Sequence, residues 1–410
     1  METYRLDLTL ESPLSVSRDR SASNRQATAT VVPPQTLRGA LAAAAERAGA
    51  DPETLDRLFG EEGLRTSALL PSDPDGALPA VAPLTLRTCK RHGGFDGDEG
   101  GRQTEAPHGV EDTLFASLRL ALHDDPGALR ALRTCQANGC GHVMTRKDGL
   151  VRTEEGDYRT QSMPGKRTQT HVGLDRRRDG AASGMLYARE VVNEKTTAGE
   201  GLRPTTCRAA ITGPESALEH LRDALDATEV LRVGTAVSRG LGRCSVERFA
   251  PGTAPPPLED RIADFNDAYR KHGHVGGTLI ALTLRTPALF VGEFLRPDTT
   301  PGGDRLLQAA RSDEQAHAHA LESLERVHEV ARGYQFQAWN GLAGVPHGTD
   351  QGLRAGSVLV YQASEVTDEL LDALSHVETT GVGLRRELGL GRVRVCDRIH
   401  TDIHEHTDSN

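Results

Sequence analysis

Apolar and polar residues alternate with period two at the start of the chain, through Leu8-Thr9-Leu10, and predict a strand at about 3–10 that a proline stops. Helical periodicity follows at about 36–48, with Thr36 as candidate N-cap and Gly49 as the stop. A stretch rich in Gly, Asp and His at about 86–112 is irregular. Helical spacing returns near 112–133 and 214–227, and strand patterns at 184–192, 206–212 and 243–249. Beyond the proline-rich run 251–257, strands are expected near 277–285, 356–362 and 392–397, with helices near 303–332 and 367–377. Strands and helices in mixed order, twice over, give an α+β class rather than a doubly wound α/β sheet.

Two short patterns occur twice in the same order. Leu8-Thr9-Leu10-Glu11-Ser12-Pro13-Leu14 is matched by Leu282-Thr283-Leu284-Arg285-Thr286-Pro287-Ala288, and Gly240-Leu241-Gly242-Arg243-Cys244-Ser245-Val246 by Gly389-Leu390-Gly391-Arg392-Val393-Arg394-Val395. Such pairing predicts two copies of one domain. The second copy spans an interval that suits a single α+β domain, and the first is roughly 125 residues longer, so it holds an insertion. The expected organisation is a first domain over 1–250 with a Cys/His-containing insertion at about 85–145, a linker at 251–274, a second domain at 275–400 and an acidic tail at 401–410.

The second repeated pattern lies in glycine loops, Val233–Arg243 and Gly381–Arg392. Glycine lets the backbone adopt positive φ and approach a ligand closely, successive N–H groups can cradle an anion, and arginine adds forked donors. Neither loop matches a Walker or dinucleotide fingerprint. The plain alternative is a pair of tight turns with solvated arginines.

These loops resemble those that precede the last strand of a ferredoxin-like domain in RAMP proteins of CRISPR–Cas systems. Leu37-Arg38-Gly39-Ala40-Leu41 is similar to the start of the first RAMP helix, and Leu58-Phe59-Gly60 to the short motif after it. His171–Arg178 followed by Gly184–Glu190 resembles the crRNA-side hairpin of type III RAMPs, and Gly356-Ser357-Val358 with the second loop resembles the C-terminal domain of the large two-domain RAMP of type III-D. The resemblance implies two ferredoxin-like (RRM-like) RAMP domains in a non-catalytic subunit of an RNA-guided antiviral effector complex, one that holds the 5′ repeat-derived tag of the crRNA. Its partners would be the crRNA and neighbouring effector subunits, both backbone RAMPs and the large subunit, with target RNA as a further candidate. The RNA-binding residues so implied are Arg38, His171, Arg176, Arg177, Arg178, Tyr187, Ser238, Arg239, Gly240, Gly242, Arg243, Gly383, Arg385, Arg386, Gly389, Gly391 and Arg392.

Charge first stands against this. The formal net charge over 410 residues is -10, which excludes a freely basic, histone-like binder. Locally the sign reverses. Residues 231–249 carry Arg232, Arg239, Arg243 and Arg248 against Glu247, and 382–398 carry Arg385, Arg386, Arg392, Arg394 and Arg398 against Glu387 and Asp397. Lysine is confined to Lys90, Lys147, Lys166, Lys195 and Lys271, so the cationic side chains are almost all guanidiniums, which fork onto phosphate. If six to ten phosphates are contacted, affinity falls by about 10³–10⁵ between 50 and 200 mM salt.

The insertion contains Cys89-x-x-His92 and Cys135-x4-Cys140, two pairs of soft ligands that can close a tetrahedral structural Zn²⁺ site, with His108 or His142 able to replace a ligand. His171 and Asp175 would be general base and metal ligand were the chain instead a metal-dependent endoribonuclease, and an adaptor that contacts only protein is a third reading. His317, His319, His400, His404 and His406 read as a solvated helix and a frayed tail, and Trp339 as a core residue. No window approaches 18 consecutive apolar residues, Met1–Leu10 does not read as a signal peptide, and six cysteines make no disulfide framework, so the expected compartment is the reducing cytoplasm.

Overall fold

The computed structural model describes residues 1–17, 24–74, 76–96, 98, 107–154, 156–175, 180–198, 201–271, 277–308, 310–337, 339–340, 345–346 and 348–408. The chain divides into two compact units, Met1–Pro79 with Gln161–Thr253, and Ala80–Thr160 with Ala254–Asn410.

In the first unit the opening strand Glu2–Leu10 buries Tyr4, Leu6, Leu8 and Leu10 on one face. It lies between Arg243–Pro251 and Thr206–Gly213, both antiparallel to it. The short strands Arg65–Thr66 and Leu70–Ser72 pair with the far edge of Thr206–Gly213. In chain order the four main strands therefore stand fourth-first-third-second, the ferredoxin-like arrangement. The helices Pro34–Arg47 and Glu215–Asp226 place Leu37, Leu41, Leu218 and Leu221 in the same core as Leu6, Leu8 and Ile211. Arg208 on the third strand is almost fully buried. Its guanidinium meets Asp7 at 2.6 Å and donates to the carbonyls of Pro74 and Ala77 at 2.8 and 3.1 Å, so no donor is wasted in the core.

The second unit repeats the order. Thr278–Leu284 sits between Val358–Ala363 and Val393–Val395, with Glu325–Val330 at the edge beyond Val358–Ala363. Leu370, Leu374 and Val377 of the helix Asp368–Thr380 pack against this sheet.

Several expectations change. The 251–274 linker contains a helix, Leu258–Arg270, whose Ile262, Phe265 and Tyr269 are core residues. Buried Asn266 ties it to the sheet, bonding both the N–H and the carbonyl of Leu279 at 2.9 Å. The inserted segment packs within the second unit rather than the first: Leu114 and Phe115 of the helix Leu114–His123 share the core of Phe265, with the rings of Phe115 and Phe265 5.1 Å apart. The helix expected over 112–133 breaks at Asp124, which has φ 49°, and resumes at Ala128. The helix expected over 303–332 shrinks to Gln315–Glu322, because 325–330 form an edge strand. The tail is helical over Ile399–Asp408. Ile399 and Ile403 are buried against Leu86, Phe95 and Val110, and His400 is buried with Nδ1 2.5 Å from Asp112 and Nε2 2.8 Å from Thr283. The first helix begins at Pro34 after Pro33, with no side-chain cap from Thr36.

Both units close in the same way. The N–H of Gly242 donates to the carbonyl of Pro13 at 2.9 Å, and that of Gly391 to Pro287 at 2.7 Å. The hydroxyls of Ser12 and Thr286 each accept the next N–H, from Arg243 and Arg392, at 2.9 Å. The two repeated sequence patterns thus touch one another in each copy, which is why they repeat together. A Cβ at Gly242 would lie 1.9 Å from the carbonyl oxygen of Val233, and at Gly391 1.8 Å from that of Val382. Substitution of Gly391 by alanine is expected to cost about 2–4 kcal/mol in urea unfolding, and a loss below about 0.5 kcal/mol would contradict this geometry.

Candidate nucleic-acid interface and metal centre

The two glycine loops have one backbone. Gly234 and Gly383 take φ 91° and 74°, Ala236 and Arg385 both take φ 57°, and a single 3₁₀ turn follows at Val237–Arg239 and Arg386–Leu388. Gly240 and Gly389, then Gly242 and Gly391, return to positive φ. The N–H of Thr235 donates to Ser15 and that of Leu384 to Leu289, each at 2.8 Å.

Their side chains do opposite things. In the first loop Ser238, Arg239, Gly240 and Arg243 are exposed, and a Cβ at Gly240 would meet open space. Among the described residues Arg243 makes a long 3.6 Å ion pair with exposed Glu11. The Arg239 guanidinium donates to the Tyr187 hydroxyl at 2.5 Å. Tyr187 faces His171 across the hairpin formed by Lys166–Asp175 and Gly180–Val192. Their rings stack at 5.0 Å and 19°, and His171 Nε2 has no hydrogen-bond partner among the described residues. An arginine fork, an aromatic pair and an open glycine turn are the parts that hold single-stranded RNA by phosphate contact and stacking. Arg176, Arg177 and Arg178 lie outside the described residues, as does the side chain of Asp175. The same holds for the side chain of Trp339.

In the second loop the arginines are taken up inside the fold. Arg386 grips Glu314 with two bonds of 2.8 and 2.7 Å, and Glu314 is nearly inaccessible. Burial pushes the Glu314 carboxyl up, but His376, Arg386 and the Arg311 N–H hold it well below the usual carboxylate range. Arg385 pairs with Asp350 at 2.8 Å and lies over the Phe336 ring. Arg394 faces Glu378 at 3.6 Å, and Arg285 pairs with Asp397. Arg385, Arg386 and Arg394 of the basic run 382–398 are therefore met by carboxylates from outside the run, Asp350, Glu314 and Glu378, while the run's own Asp397 is taken by Arg285. Arg392 is half-buried, with its backbone held by Thr286 and Arg285. Arg38 is also structural: it donates to the carbonyl of Phe59, at the end of the helix Pro52–Phe59, and lies over that ring. This bond joins the Leu37–Leu41 and Leu58–Gly60 motifs.

The Cys/His cluster assembles with one exchange. Cys89, His108, Cys135 and Cys140 place one ligand atom each within 4.8 Å of one another. Cys89 and Cys140 sulfurs are 3.8 Å apart, and His108 Nδ1 is 3.5 Å from Cys135. Bonds of about 2.3 Å give a zinc–thiolate tetrahedron edges of roughly 3.8 Å, so the donor set fits that metal. His92, expected as a ligand, stacks on His108 at 4.3 Å instead. Its position three residues past Cys89 brings its backbone N–H, with that of Arg91, to the Cys89 sulfur. Burial raises the Cys89 thiol, but these N–H donors together with the Cys140 and Cys135 thiols lower it. Cys135 is pushed up to about 12 by burial and the adjoining thiols. Three sulfurs so close resist joint ionisation until a cation joins them.

A family model described as the RAMP superfamily matches residues 7–245. The chain belongs to the RAMP superfamily. No curated protein matches it. Among solved structures, this RAMP is similar to a chain of a type III-B Cmr-beta complex bound to cognate target RNA, at 9% identity over 96% of this chain and 99% of that one with TM-score 0.41. A RAMP protein binding different RNA substrates is similar at 8% identity over 96% and 99% with TM-score 0.36. A Cas6 product complex is similar at 12% identity over 96% and 99% with TM-score 0.39. Likenesses this distant are no guide to which RNA the chain holds. Among the described residues no helix is long and apolar enough to cross a membrane.

The two loops separate in a stability experiment. Arg386→Ala strands a buried carboxylate and is expected to cost about 3 kcal/mol. Arg239→Ala, at an exposed site, is expected to stay within about 0.5 kcal/mol of wild type by the same urea titration.

Proposed function

We propose that this RAMP is a non-catalytic crRNA-binding subunit of a type III CRISPR effector complex, of the two-domain kind found in type III-D. In this reading it works in the cytoplasm, holds the 5′ repeat-derived tag, and docks backbone RAMPs and the large subunit. The observation that carries the reading is the exposed Arg239 fork bonded to Tyr187, whose ring stacks on His171, beside the open turn at Gly240. Arg232 and Arg243 extend the same cationic edge. The strand's phosphates lie along the loop backbone and guanidiniums, and a splayed base stacks on the His171–Tyr187 pair. The second loop serves the fold.

The test is expression with a crRNA source and partner subunits. Small RNA of uniform 5′ sequence copurifies in the proposed reading, and Arg239→Gln with Arg243→Gln weakens binding about tenfold and lowers the salt slope by about 1.4, since each phosphate on a single strand contributes about 0.7. An RNA-free complex would leave the adaptor reading in its place. RNA cleavage abolished by Asp175→Ala would establish the nuclease reading.

The Cys89–His108–Cys135–Cys140 cluster is proposed as a structural zinc site that holds the inserted segment together. Metal analysis is expected to give one zinc per chain, lost in Cys135→Ser and retained in His92→Ala. Retention in both would contradict the assignment.

A further inference from the structure

The second unit carries another group of arginines, outside both glycine loops. Arg87 on the strand Leu86–Cys89 stands directly opposite Arg146 on Met144–Arg146 in an antiparallel pair. Directly opposed residues leave a sheet on the same face, and like charges so placed destabilise it. Arg332 and Arg354 flank the base of the hairpin Gly333–Phe336 and Asp350–Leu353, where the Arg354 N–H donates to the Arg332 carbonyl at 2.8 Å. Asp148, two residues beyond Arg146, lies 3.9 Å from the Arg354 guanidinium and draws the two pairs together. Burial first, and then the charges of Arg332, Arg87 and Arg354, lower the proton affinity of Arg146. The Arg146 Nε is buried with no hydrogen-bond partner among the described residues.

This group differs from three other arginines of its unit. Arg261, Arg285 and Arg386 each meet a well-buried carboxylate. Here, among the described residues, four guanidiniums meet two carboxylates. Asp148 is mostly exposed and 3.9 Å from Arg354, and half-buried Glu111 stands opposite Arg87 on the strand Val110–Asp112. Arg332 is open to solvent. Four guanidiniums against two carboxylates leave an excess of positive charge for an anion from outside. Guanidinium forks match the paired oxygens of a phosphate, and four of them exceed what a single phosphate can occupy.

We propose that Arg87, Arg146, Arg332 and Arg354 form a second anion site, which takes consecutive phosphodiesters of an RNA strand. The site rests on the RNA-binding reading above but on none of the same residues.

The test measures anisotropy of a single-stranded RNA of about 40 nucleotides on the full chain from 50 to 200 mM salt, together with thermal unfolding. Arg332→Gln with Arg354→Gln is expected to weaken binding about tenfold and to lower the salt slope by about 1.4. Arg146→Gln is expected to weaken binding while raising Tm by a few degrees, because removing one of two opposed charges relieves repulsion. A fall in Tm with unchanged affinity would mark the residue as structural and overturn the site. Wild-type affinity in these variants, with loss in the Arg239→Gln/Arg243→Gln protein, would overturn the site and leave the loop reading standing. Failure of the wild-type chain to bind RNA at all would overturn both. Displacement of RNA from the loop-variant protein by millimolar inorganic phosphate would assign the site to free phosphate instead.

Discussion

Each unit depends on one backbone contact made without room for a side chain. The N–H of Gly242 or Gly391 reaches the carbonyl that follows the opening strand, at Pro13 or Pro287. The carbonyl of Val233 or Val382 occupies the space where a Cβ would sit. The contact fixes the glycine loop at the end of the strand that pairs with the opening one. The opening strand is paired on both sides in each sheet, so the loop is held against an internal strand of the unit. A strand-terminating proline, a hydroxyl at Ser12 or Thr286, and a glycine–arginine turn are then one device seen twice.

The same frame carries two chemistries because its charges are met differently. In the second unit Glu314, Glu378 and Asp397 are buried against arginines, and Arg386 of the loop is consumed in the first of these pairs. A buried pair of this kind is weak evidence of added stability but strong evidence that neither partner is free to bind elsewhere. Among the described residues of the first unit no buried acid answers Arg239 or Arg243, and Arg239 instead leans on an aromatic pair. The net charge of -10 is thus a sum over buried acids, exposed acids and a few unanswered guanidiniums, and does not report on the surface that meets a polyanion.

What the sequence showed and hid follows from the range of each interaction. The duplicated domain was legible because its signature is local: alternation, a proline, and a short glycine pattern. The exposed first loop could be read for the same reason. The neutralisation of Arg386 was hidden, since Glu314 lies 72 residues away and belongs to a capping turn. Three of the four soft ligands were legible from spacing, but the fourth was assigned to the nearer His92, whose place is set by its backbone N–H at the Cys89 sulfur. Prolines at 251–257 concealed the buried face of Leu258–Arg270, and the polar C-terminal residues concealed the anchoring of His400 between Asp112 and Thr283. For Arg386 and His400 the deciding partner came from a distant part of the chain.

The central claim is that the two loops share a backbone but only the first holds RNA. Photo-crosslinking of the chain to its bound RNA, followed by mass spectrometric mapping, tests it most directly. The account predicts crosslinks at Tyr187 and within 234–243, and none within 383–392. Crosslinks concentrated in 383–392, with 234–243 unmodified, would contradict it.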